Sequence, residues 1–98
     1  MVQRDRRVAN GRCCSNRLLG MRSYHVYLLN TAAEKQVSMP IGQFRLLIEL
    51  LEVAMNQLDQ MEQFLRNTNS LQGRRNFVSV EVQYQATATA AHNLVMNY

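Results

Sequence analysis

The chain is short of most of the residues that carry chemistry on their own. Its 98 residues include no tryptophan, one proline, four glycines and two cysteines. The cysteines, Cys13 and Cys14, are neighbours, and Cα atoms about 3.8 Å apart lie below the usual disulfide separation. No further cysteine or histidine stands at zinc-ligand spacing, which excludes a disulfide framework and a structural zinc site of the usual patterns. Free thiols in a reducing compartment follow, and the cytoplasm is the expected location. No apolar run approaches the length of a bilayer span, so no membrane insertion is expected. Arg12 and Arg17 interrupt what would be the apolar middle of a signal peptide. Also missing are a carboxylate pair, a glycine-rich phosphate loop and a nucleophile elbow. His25 and His92 can act as acid and base only if the fold brings them together. The sequence calls for no enzyme activity, no cofactor and no metal.

Lysine is nearly absent as well, and the positive charge is carried by arginine. Residues 1–22 hold Arg4, Arg6, Arg7, Arg12, Arg17 and Arg22 against Asp5 alone, while the whole chain has a net charge of +4. The excess therefore sits in the leader. Residues 1–21 show no sustained apolar period and are expected to form a flexible basic arm, with a single folded domain over 22–98. Arginine suits phosphate and stacking contacts better than lysine does.

The strongest pattern in the chain is an apolar stripe at heptad spacing. Phe44, Leu47, Leu51, Ala54, Leu58, Met61 and Leu65 follow one another in steps of three and four, forming one seam along a helix. A second row, Leu46, Ile48, Leu50, Val53 and Met55, widens the first half only. Ser38 followed by Pro40 marks the helix start. Thr68, Asn69, Ser70 and Gly73 mark its end, and Glu62 with Arg66 forms a favourable i,i+4 pair.

Two other stretches read as strands. Tyr24 to Leu29 is a β-branched and aromatic run of strand length with both faces partly apolar. From Phe77 the period becomes two, with Val78, Val80, Val82 and Tyr84 opposite Ser79, Glu81 and Gln83. The alternation extends to about Thr89, and a helical or loose tail with Leu94, Val95 and Met96 follows. The expected fold is α+β: a long amphipathic helix on a small, mainly antiparallel sheet, completed by dimerisation.

Dimerisation enters through length. A helix from Ile41 to Thr68 spans about 42 Å, against about 27 Å for an eight-residue strand, so its outer part overhangs the sheet. Leu51, Ala54, Leu58, Met61 and Leu65 are then the expected interface, and a homodimer the expected assembly. For function, the pattern favours nonenzymatic nucleic-acid binding, RNA before DNA because no DNA-reading signature is present. Phosphates would be held by Arg4, Arg6, Arg7, Arg12, Arg17, Arg74 and Arg75. Tyr24 and Tyr27 could stack on unpaired bases, although core or interface positions suit them better. The alternative is a protein-interaction module, such as a small chaperone, adaptor or accessory factor, whose partner lies on the helix seam.

Overall fold

The computed structural model describes residues 2–66 and 70–98, with side chains for 16–66 and 70–98. Three helices run in order: α1 (Val2–Glu34), α2 (Ile41–Arg66) and α3 (Leu71–Met96). No strand occurs among the described residues. The expected α+β fold is therefore wrong, and the expected sheet is replaced by two helices.

The seam of α2 organises the bundle. Leu47, Leu51, Ala54, Leu58 and Met61 are all buried, and the residues that cover them come from α1 and α3. On α1, Leu18, His25, Leu28 and Ala32 are buried and Met21 is half-buried. These five also follow steps of three and four. On α3, Gly73, Val80, Tyr84, Ala91 and Val95 are buried, with Phe77 and Ala88 packed beside them. Each helix thus turns one heptad seam towards a common axis, as ridge-and-groove packing of near-parallel helices requires.

The core falls into two clusters. One joins Leu28, Ala32, Met39, Leu47, Leu51, Ala91 and Val95, and the other Leu18, Ala54, Leu58, Met61, Val80 and Tyr84. Leu18 shares a cluster with Met61, and Leu28 shares one with Leu51, so α1 and α2 are antiparallel. Arg17 pairs with Glu81, and Lys35 reaches the Val95 carbonyl, so α1 and α3 run in the same direction. The topology is up–down–up.

The run Tyr24 to Leu29 belongs to α1, not to a strand. His25 and Leu28 point inward, whereas Val26 and Tyr27 are exposed. The run at Phe77 to Thr89 belongs to α3, and the period-two row divides there. Val80 is 8% exposed, but Val78 and Val82 are 57% and 66% exposed. Helix propensity disfavours each β-branched residue by at most about 0.7 kcal/mol relative to alanine. Burying a side chain such as Val80 or Val95 returns about 1.5–3 kcal/mol, so packing decides the conformation. Ala86, Ala88, Ala90 and Ala91 lean the same way.

The helix ends also differ from expectation. α2 begins at Ile41, with the Pro40 carbonyl accepting from the Gln43 and Phe44 amides at 3.0 and 3.1 Å. Ser38 does not cap it: its hydroxyl donates to the Lys35 carbonyl at 3.1 Å. Met39 folds back from this turn and closes one end of the core. Ser70, expected to end α2, instead starts α3 by accepting from the Gly73 amide at 3.1 Å. The expected terminators Thr68 and Asn69 lie outside the described residues. No helix of the described residues is long and apolar enough to cross a membrane.

Two single substitutions separate this arrangement from a strand. Val80→Ala is expected to cost about 2 kcal/mol in urea unfolding, while Val82→Ala stays within about 0.5 kcal/mol of the parent. A strand with both residues on one face would make the two costs alike.

Candidate nucleic-acid interface

The up–down–up topology gathers charge at one end. The last turn of α2 and the first turns of α3 lie there, and the backbone of α1 before Arg17 runs on past them, so Arg4, Arg6, Arg7 and Arg12 belong to the same end as Arg66, Arg74 and Arg75. Asp5 is the one carboxylate in that group of segments. Seven arginines against one aspartate leave six positive charges at this end. The rest of the chain carries Arg17, Arg22, Lys35 and Arg45 against six carboxylates, and so holds two negative charges, in agreement with the net +4.

The arginines expected to bind phosphate fall into three groups. Arg74 and Arg75 are exposed near the start of α3 and make no ion pair with a described residue. Both stand near the positive end of the α3 dipole, where an anion is favoured and a cation is not. Arg4, Arg6, Arg7 and Arg12 lie on the helical backbone of α1, and their side chains are outside the described residues. Arg17 is engaged within the fold, paired with Glu81 of α3. Arg66, exposed in the last turn of α2, joins the basic end although the sequence reading passed over it.

Arg22 is also engaged. Its guanidinium donates to Asp59 at 2.8 Å and to Glu62 at 2.6 Å, and both acids hold its proton more firmly than usual. Glu62 therefore pairs across to α1, where the sequence suggested Arg66 on its own helix. Arg17 and Arg22 together tie α1 to α3 and α2. These are largely exposed pairs, each worth about 0–1 kcal/mol, and they set register more than stability.

The expected oligomer interface is occupied within the chain. Leu51, Ala54, Leu58 and Met61 are at most 3% exposed, and Leu65 packs half-buried beside them. The overhang argument fails because α2 and α3 each contain 26 residues, so the partner elements match in length.

The two histidines are engaged by different tyrosines. His25 is buried, with Nε2 hydrogen-bonded to the Tyr84 hydroxyl at 2.9 Å and Nδ1 left without a partner. His92 is exposed on α3, with Nδ1 hydrogen-bonded to the Tyr24 hydroxyl. Burial, followed by the nearby Arg22 charge, lowers the His25 pKa below its ordinary 6.5. Burial pushes the Tyr84 hydroxyl up to about 12 and, with Tyr27 beside it, raises Tyr24. Among the described residues no group of three or more histidine, cysteine or acidic side chains is placed to hold a metal.

Between α1 and α3 lies an open groove of about 510 Å³, lined by Arg17, Gly20, Met21, Tyr24, Tyr84, Gln85, Ala88, Thr89 and His92. Its aromatic members stand out in the sequence, whereas Gly20, Gln85 and Thr89 do not. A usable signal was present: Arg17, Gly20, Tyr24 and Tyr27 form a second row on α1 at heptad steps, beside the core row.

No protein-family model, curated protein or solved structure matches the chain.

The buried His25 ring faces Tyr84 and lies near the Arg22 charge, and burial followed by that charge disfavours its protonated form. The unfolded chain binds its proton first, so stability is full above about pH 6.5 and falls as pH drops through the window below it. The slope contributed by one such proton is at most about 1.4 kcal/mol per pH unit. The double substitution His25→Phe with Tyr84→Phe removes both polar partners at once. It is expected to flatten that slope while remaining within about 1 kcal/mol of the parent at pH 7.5. Urea titrations between pH 5 and 7.5 check both statements.

Proposed function

We propose that the chain is a nonenzymatic nucleic-acid-binding protein of the cytoplasm, with RNA as the preferred ligand, held through its phosphates by the basic end of the bundle. The observation that carries this reading is the charge partition: six net positive charges at one end and a slightly negative remainder. A field so arranged attracts a polyanion and orients it towards one end of the molecule. Arg74 and Arg75 are the leading side chains, supported by Arg66 and by Arg4, Arg6, Arg7 and Arg12 of α1. Arg17, committed to Glu81, is left out of the phosphate contacts.

Three arginines described at this end are exposed, and arginine forms bidentate hydrogen bonds with phosphate oxygens. The exposed face of α2, with Asp59, Gln60 and Gln63, is neutral to acidic and offers a phosphate little. The alternative of a protein partner on the α2 seam draws no support from a seam filled by α1 and α3.

The test uses Arg74→Glu with Arg75→Glu. Near a helix N-terminus, acids replacing bases should raise stability by about 0.3 kcal/mol or more per position. RNA affinity should nevertheless fall at least about tenfold, and the salt dependence should become shallower by about 0.7–0.9 in log–log slope per lost phosphate contact. A more stable protein that binds less tightly is the expected result in anisotropy titrations at two salt concentrations. Unchanged affinity, or parent binding insensitive to salt, contradicts the proposal.

A further inference from the structure

The α1–α3 groove has features that the fold itself does not require. Gly20 is in the interior of α1, where glycine is less favourable than alanine by about 0.5–1 kcal/mol. A Cβ built there meets nothing within 4 Å, so no neighbour in the bundle demands the glycine. Its effect is to leave the groove wide. Ala88, another small residue, lines the same groove from α3.

Aromatic rings line the groove and continue beyond it. Tyr27 stacks on Tyr24 with centroids 5.6 Å apart and planes 23° apart, while Tyr24 and His92, joined through the Tyr24 hydroxyl and Nδ1, lie edge to edge with centroids 6.0 Å and planes 19° apart. Tyr24 and His92 thus form one nearly flat platform from α1 to α3, with Tyr27 stacked on Tyr24 and with Tyr27 and His92 exposed. The Tyr24 to His92 hydrogen bond holds the platform together. Exposed Gln85 and Thr89 add donors and acceptors beside the rings, and Arg17 supplies a guanidinium. The volume lies within the range of small-ligand sites, and the combination of flat rings with a few polar groups suits a planar heterocycle.

The groove shares helix α3 with the basic end. Arg75 and Gln85 are ten residues apart on one helix, about 15 Å along its axis. A strand of a few nucleotides reaches from one to the other. We propose that this groove takes an unpaired base of the RNA strand whose phosphates lie on the basic end, the base stacking against the Tyr24 and His92 rings. Stacking of this kind tolerates any sequence, because every base has a π-face. A duplex keeps its bases paired and stacked, so the groove makes the protein prefer single strands. The inference rests on the nucleic-acid reading above and adds to it the form of the ligand.

The decisive variant is Gly20→Leu, which puts a side chain into the groove from an exposed helix position where its Cβ meets no neighbour. Gly20→Ala is its conservative counterpart. Anisotropy titrations of the full chain would use a short unstructured RNA strand and a blunt duplex of the same sequence, with circular dichroism confirming the fold. Gly20→Leu should weaken single-strand binding about fivefold or more and leave duplex binding within about twofold. Gly20→Ala should leave both within about twofold. With no tryptophan in the chain, tyrosine emission reads the site directly: the single strand should quench it in the parent and much less in Gly20→Leu. Single-strand binding unchanged in Gly20→Leu, or lost equally with duplex binding, overturns the groove assignment while the basic end stands. Parent protein that binds neither RNA overturns both readings together.

Discussion

The burial of the α2 seam by two helices of the same chain is the constraint on which the rest depends. Leu47, Leu51, Ala54, Leu58 and Met61 have no place in water, since leaving each large one exposed would forgo about 1.5–3 kcal/mol. Covering them requires two further helices of comparable length. That requirement makes α1 helical through a run of aromatic residues, and α3 helical through a run of valines and threonines. It also sets the helix directions, and those directions bring the arginine-rich segments to one end. Charge partition and groove are both consequences of how this seam is filled.

The seam itself was legible in the sequence, because seven apolar residues in steps of three and four admit only one reading. So was the start of α2 at Pro40, although the hydroxyl expected to cap it turned out to bond elsewhere. α3 was not legible for a specific reason. Its residues satisfy two periods at once: Val78, Val80, Val82 and Tyr84 alternate, while Phe77, Val80, Tyr84, Ala91 and Val95 recur at helical steps. Period two is the more continuous of the two locally. The discriminating feature was longer in range, as the helical row continues to Val95 through alanines that a strand would not favour. On α1 the inward row contains His25 and passes between arginines, so its apolar signal was diluted, and the arm was taken to end at residue 21 inside what is one helix.

For the candidate site, the sequence identified the kinds of residue better than their arrangement. Arg74 and Arg75 are exposed as expected, but Arg17 is tied to Glu81, a pairing between residues 64 apart that no local pattern announces. Tyr24 and Tyr27 are legible in sequence as possible stacking residues, while His92, which joins Tyr24 edge to edge, comes from another helix. The polar pair of His25 and Tyr84 sits at core positions of α1 and α3. An apolar pair would have held the layer as well or better, since a buried polar group stabilises only when its partners are complete. Nδ1 of His25 has none. The pair therefore gives the core a weak point in acid, located beside the groove to which Tyr84 contributes.

The central claim is that the seam is closed within one molecule. An isotope-filtered NOE experiment on a mixture of labelled and unlabelled chains measures this directly. Contacts of Leu28 with Leu51 and Val95, and of Leu18 with Met61, should be found within single molecules and be absent from the filtered spectrum that reports contacts between molecules. The same contacts appearing only between labelled and unlabelled chains would show the seam to be filled by a second copy, and would contradict the account.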